Sequence, residues 1–228
     1  MSIIALSGKM QSGKNTAAYI IQYLIDKNKI GYNNKDTEED FNNYIKNKHY
    51  LKCIHQQKAF ADKLKDIVRI LINCSREDLE NQKFKEKKLW YFNNLSPREL
   101  LQKIGTGLFR DQLYENIWVD ALFNDYKPIT DIKVSNSYSD KRLQEEAKLL
   151  YPSWLVTDLR FKNEFNKVKE FNGITIRINR DNCVKMNHIS ETDLDDMEFD
   201  YEIDNNSSID DLIKQVRNIL IQEKIINE

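Results

Sequence analysis

SIIALS (2–7) opens the chain as a short, nearly all-apolar run that stops at Gly8. Such a run suits a strand buried on both faces of a parallel sheet. After a glycine-containing loop, Ala17, Ala18, Ile20, Ile21, Leu24 and Ile25 recur at helical spacing, which predicts a helix of roughly three turns. Residues 33–48 are polar and Asn/Lys-rich and read as an exposed loop or weak helix. A second strand is expected over Cys53 to Phe60, and the apolar positions 64, 67, 68 and 71 then form a helical stripe.

The longest helical stretch runs from Ser96 to Phe123, where Ser96, Pro97 and Glu99 supply an N-cap, a first-turn proline and a capping-box acid. Gly105 and Gly107 are expected to break it in two. Residues 127–153 read as an insertion, with a turn near Asn136 and a helix across Lys141 to Leu150. Trp154 to Val156 forms another buried run ending at Asp158, followed by a helix to about Phe171. Gly173 opens the strand ITIRIN, residues 181–199 are polar and expected to be mobile, and Tyr201 to Asp204 is a last strand. Ser208 caps a final helix with Ile209, Leu212, Ile213, Val216 and Leu220 inward. No internal repeat interrupts this order. Strands alternating with helices predict an α/β fold, a doubly wound parallel sheet of roughly five strands.

Composition adds limits. The length of 228 residues suits one α/β domain with insertions. The 35 Lys and Arg against 36 Asp and Glu leave −1, which argues against general duplex binding because that needs a basic face. Cys53, Cys74 and Cys183 are odd in number and lack metal-ligand spacing, so free thiols in a reducing compartment are expected. His49, His55 and His188 form no ligand pair. The N-terminus reads directly into a strand without a signal pattern. No apolar run approaches the roughly 18 residues of a membrane helix. A cytoplasmic protein is expected, in the host cytoplasm if its source is viral.

The chemistry begins at the loop. Gly8-Lys-Met-Gln-Ser12-Gly13-Lys14 carries G-x-x-x-x-G-K between a predicted strand and a predicted helix, the context that gives this pattern its meaning. Its glycines, with Ser12, let backbone N–H groups turn inward around phosphate oxygens, and the helix adds its positive end. Lys14 can offset charge that develops during phosphoryl transfer. The usual Ser or Thr after the lysine is replaced by Asn15, with Thr16 one position later. A three-layer P-loop NTPase fold with ATP and Mg²⁺ follows. The displaced Thr resembles the loop of nucleoside monophosphate kinases, a resemblance that implies Mg²⁺ held chiefly through phosphates and water rather than by direct protein ligands.

Other residues fall where such a fold places ligands. Asp158 and Arg160 follow a core strand, at the sheet edge where a carboxylate can act on Mg²⁺ through water and an arginine can clamp phosphates. Glu164, one turn on, can brace Arg160. Arg98 and Gln102 share a helix face; one can grip a phosphate and the other can read a base edge. Gly105-Thr106 permits close backbone approach. Trp118 can stack on a base or belong to the core.

LSGKMQSGKNT (6–16), FADKLKD (60–66), LLQKIGTGLFRD (100–111) with WVD (118–120), TDLRFKNE (157–164) and HISE (188–191) together resemble the deoxynucleoside monophosphate kinases of the tailed-phage type. The resemblance implies phosphorylation of deoxynucleoside monophosphates by ATP in a single kinase domain. An acceptor-binding insertion would lie at about 60–125, a further insertion at 127–153 and a lid at about 177–199. It places Leu64 and Lys65 at the acceptor's phosphate, with Arg69 at i+4, and Met10 and Gln11 near the acceptor. Arg177 and Arg180 flank the expected lid, and Asn205 lies where this fold meets adenine. A kinase for dephospho-coenzyme A or phosphomevalonate, or a nucleotide-binding protein without catalysis, remains the alternative. The expected partners are small nucleotides, without nucleic acid or membrane, and homodimer formation is left open.

Overall fold

The computed structural model describes residues 3–31, 35–47, 55–129, 151–181, 183 and 189–227. The turn near Asn136, the helix expected over Lys141 to Leu150, Cys53 and His188 lie outside them.

Five strands form one all-parallel sheet: β1 (Ile3–Ser7), β2 (Gln56–Lys58), β3 (Trp154–Val156), β4 (Ile174–Asn179) and β5 (Tyr201–Asp204), in the order β2-β3-β1-β4-β5. The all-apolar run at the start of the chain is the central strand, so both of its faces must be covered. Alternation divides it. Ile4 and Leu6 enter one core with α1 (Lys14–Ile30), α2 (Glu38–Asn47) and a C-terminal helix (Ile209–Gln222). Ile3 and Ala5 enter the other with α7 (Ile117–Phe123) and α8 (Lys162–Glu170). This is the predicted three-layer α/β architecture. The C-terminal helix is α9, following α3 (Asp62–Ile72), α4 (Arg76–Glu80), α5 (Gln82–Glu86) and α6 (Pro97–Gln102) among the shorter ones.

Three elements differ from their sequence reading. The first helix has 17 residues rather than three turns, because the apolar face continues through Tyr23 and Ile25. Gly31, at φ +72°, then ends it by giving its N–H to the Lys27 carbonyl. Of the two readings of 33–48, the helix is the one found, over Glu38–Asn47, but it is packed rather than weak, pinned by buried Phe41 against Tyr23 and by the Tyr44 hydroxyl on Asp26 at 2.8 Å. The stretch from Ser96 does not break at its glycines. Behind the Ser96–Glu99 capping box, α6 passes into a π-helical segment, Lys103–Leu113, and the interruption comes at Tyr114.

The reason lies in packing. A Cβ at Gly105 would stand 2.5 Å from Leu64 Cδ2, and the Gly105 carbonyl accepts the Trp118 indole N–H at 2.9 Å. The glycine thus provides close approach between helices rather than a chain reversal. Around this contact Leu64, Val68, Ile72, Leu79, Leu89, Leu100 and Trp118 build a third small core, which carries α3–α6 as a lobe beside the sheet.

Candidate active site

Strand register fixes the centre of the site. Ala5 pairs with Val156 and Lys58 also pairs with Val156, so the chain leaves β1, β2 and β3 at one level on one sheet edge. Gly8, Phe60 and Asp158 therefore come together although they are far apart in sequence.

The loop after β1 is a main-chain construction. Gly8 and Gly13 sit at φ +144° and +98°, and a Cβ at either would collide with Ile178 O at 2.5 Å or Asn205 Nδ2 at 2.2 Å. Asn205 Nδ2 donates to the Ser12 carbonyl at 2.8 Å, so the residue expected at the adenine also buttresses the loop. The Ser12 hydroxyl is buried and lacks a hydrogen-bond partner among the described residues. α1 starts without any acid in its first turn, leaving its positive end open to an anion. Lys14 folds back over the loop and donates to the Gly8 and Lys9 carbonyls at 2.5 and 2.8 Å. Burial, and secondly the nearby Arg160 guanidinium, lower its amine to about 8.

The facing wall is built from charge. Asp158 accepts the Phe60 and Ala61 N–H groups at 2.8 and 3.0 Å and so stands over the start of α3. Burial raises its carboxyl above the usual range, against the pull of those two amides. Arg160 donates to Glu191 at 2.5 Å, while the other oxygen of Glu191 accepts the Met10 N–H at 2.9 Å. Glu191 thus ties the arginine to the phosphate loop. Glu164 is buried and accepts from Arg110 and from the main-chain N–H of Arg160 at 2.9 Å and of Phe161 at 3.2 Å. Burial is the largest influence on it and pushes its carboxyl up to about 7, while the Arg110 guanidinium pulls the other way. Arg110 also lies 3.8 Å from the Phe161 ring centroid, a cation–π contact.

Two cavities open on these walls. One, of about 810 Å³, exposes Gln11, Gly13, Lys14 and Asn15 from the loop. The other, of about 220 Å³, brings together Met10, Leu64, Lys65, Arg98, Gln102, Gly105, Thr106, Trp118 and Glu164, residues read from the sequence as acceptor-binding. Arg69 joins neither cavity; it is exposed and pairs with Asp66 at 3.1 Å. Thr16 is half-buried and Arg180 is exposed at the end of β4, and neither lines either of these two cavities. Trp118 belongs to both worlds: it packs in the lobe core at 4% exposure and shows an edge to the smaller cavity. Arg177 is held by the Leu194 carbonyl at 2.8 Å and by Asp195, and Leu194 is buried, so the stretch around Leu194 is packed on the sheet.

Sequence reasoning missed Lys85, Arg110, Phe161 and Arg76 in these walls. Arg110 and Phe161 lie inside the quoted motifs IGTGLFR and TDLRF and were within reach. Lys85 is hidden in a lysine-rich run that reads as a solvated surface. Among the described residues, no group of three or more His, Cys, Asp or Glu is placed to hold a metal, and no helix is long and apolar enough to cross a membrane.

A glycine loop at the end of a central parallel strand, facing a separate cation-lined cavity, is the architecture of a P-loop kinase. Residues 26–216 match the model of the deoxynucleotide monophosphate kinase family, and the chain belongs to that family. A protein of Acanthamoeba polyphaga mimivirus, named "Putative deoxynucleotide monophosphate kinase", is 28% identical over 221 residues, which cover 95% of this chain and 94% of the relative. The family match begins after the phosphate loop, so that loop stands on its own geometry.

Proposed function

We propose that the protein transfers the γ-phosphoryl group of ATP to the phosphate of a deoxynucleoside monophosphate, giving ADP and the deoxynucleoside diphosphate. The observation that carries this reading is that the loop cavity and the lobe cavity share a wall containing Lys65, Asp158 and Arg160. Two phosphorylated ligands would meet there, phosphate to phosphate.

The loop fits a polyphosphate. Its glycines leave no room for side chains, its Ser12 hydroxyl is buried without a partner among the described residues, and Lys14 rests on carbonyls that phosphate oxygens can replace. Each Asp158 oxygen has one amide partner and a remaining lone pair, which suits a hydrated Mg²⁺. Bound there, Mg²⁺ would neutralise charge on the transferring group. Lys14 and Arg160 would stabilise the equatorial oxygens, and Arg98 and Gln102 would orient the acceptor.

A coupled assay of ADP release, with ATP and each deoxynucleoside monophosphate in turn, tests the reading. Turnover with at least one is expected. ATP binding without turnover of any of them, alongside turnover of another phosphorylated acceptor, would reassign the substrate.

A further inference from the structure

Met10, Ala61, Lys65, Lys85, Asp158 and Arg160 line both cavities. Three of these six are cations, and two already have counter-ions. Lys65 pairs with Glu80 at 2.7 Å and Arg160 with Glu191 at 2.5 Å. The flanking Arg98 and Arg76 are likewise paired, with Glu86 and Asp62, each at 2.5 Å. Lys85 differs: among the described residues no carboxylate forms an ion pair with its ammonium within 4.0 Å. Glu80 and Glu86 attract it only from farther off, and Lys65 and Arg98 repel it.

Its position has no packing rationale. α5 is a five-residue turn capped by Asn81, with no fully buried residue, yet it turns the half-buried Lys85 side chain toward both cavities. Burial lowers the pKa of its amine, as expected for an ammonium partly removed from water beside other cations. Such a group is stabilised when an anion arrives, and the arriving anion gains a charge-assisted hydrogen bond. Paired neighbours must first exchange a carboxylate for that anion. Lys85 need not.

We infer that Lys85 binds the phosphate of the acceptor nucleotide at the wall shared by the two cavities, completing with Lys65 and Arg160 a three-cation seat for the group that receives the transfer. This assignment rests on the nucleotide kinase reading, and its test separates the two. The probes are the four deoxynucleoside monophosphates and their unphosphorylated nucleosides, titrated calorimetrically into wild type, Lys85→Met and Lys85→Arg, alongside steady-state kinetics and thermal melts.

Lys85→Met is expected to keep its melting temperature, to lose roughly tenfold or more in monophosphate affinity and to raise the acceptor KM to a similar extent. Its affinity for nucleosides and its KM for ATP stay within twofold of wild type. Lys85→Arg recovers much of the loss, because charge rather than shape is required. If wild type turns over a monophosphate and Lys85→Met keeps its acceptor KM within twofold, the inference fails and the kinase reading stands. If no monophosphate is turned over but binding still depends on Lys85, the inference stands and the transfer reading fails. Absence of monophosphate binding to wild type overturns both.

Discussion

The two walls of the site reach similar precision by different means. On the loop side the shape is set by backbone: glycines at positive φ, a lysine folded on carbonyls, and Asn205 pressed against Gly13. Side chains cannot be added at its glycines without collision, whereas the Lys14 ammonium alone can exchange its carbonyls for a phosphate. On the lobe side the shape is set by ion pairs, Lys65–Glu80, Arg98–Glu86 and Arg160–Glu191, each with a partly exposed partner. The first two, each with an exposed glutamate, contribute little to stability, roughly 0–1 kcal/mol, whereas the Glu191 side chain in the third is buried. They are better understood as placeholders, because a phosphate can take over the cation when it arrives. On the proposed reading, the donor side is preformed in its backbone and the acceptor side would be assembled by exchange of partners.

That contrast can be broken by substitution. The largest effect is expected for Lys14→Ala, which removes a preorganised cation from the rigid wall. We expect kcat to fall roughly a hundredfold or more with an unchanged melting temperature. Retention of a tenth of wild-type kcat would show that the loop does not carry the chemistry. Asp158→Asn comes next. It keeps one amide acceptor and loses the charge, so kcat should fall more than tenfold with little change in either KM. A thermal melt should show a cost of about 1 kcal/mol for the weakened cover of α3. Unchanged kcat alongside that cost would make Asp158 a helix cap alone.

A pH series separates charge from shape on the loop. The Lys14 amine, lowered to about 8, is charged below that pH and increasingly neutral above it. ATP binding favours the charged form, so KM for ATP should hold below about pH 8 and rise above it, by up to roughly tenfold per pH unit. Lys14→Arg, charged throughout, should be flat. In the free protein the same depression disfavours the charged amine, so its cost to stability is full below about pH 8 and is relieved as the pH rises.

On the exchanging wall the effects are smaller. Arg98→Ala should raise the acceptor KM several-fold and leave that of ATP alone, whereas Arg69→Ala, outside both cavities, should change neither beyond twofold. Equal effects would mean that the two arginines act through the general field. Smallest of all, Glu191→Gln removes the charge that ties Arg160 to the loop. Hydrogen exchange at the Met10 amide in the free protein should quicken several-fold, and exchange at wild-type rates would mean that this carboxylate does not hold the loop.

The fold was legible because its signals are local. An all-apolar run, a glycine loop and an apolar stripe already say buried strand, turn and helix, and the parallel sheet follows from their alternation. Asp158 and Arg160 were legible for the same reason, since a strand end predicts a sheet edge. What escaped is what depends on long-range contact. Gly105 reads as a breaker until Leu64 is set beside it. Lys65 and Arg69 look equivalent on a helical wheel, but only Lys65 faces a cavity once α4 and α5 are in place. Asn205 reads as a ligand contact, and only the folded chain brings its amide to the Ser12 carbonyl, 193 residues away.

That last separation has a consequence for how the molecule is made. The central strand is synthesised first, yet its neighbours β3 and β4 begin only at Trp154 and Ile174, and the residue that locks its loop comes later still. At about 5–20 residues per second, roughly ten to forty seconds separate Ser12 from Asn205 during translation. Until Trp154 and Ile174 are made, Ile3, Ile4 and Leu6, all later among the most buried side chains, have no strand to pair with. A nascent chain of this topology therefore carries an apolar strand that cannot be paired until β3 and β4 follow, the slow step expected of long-range parallel pairing.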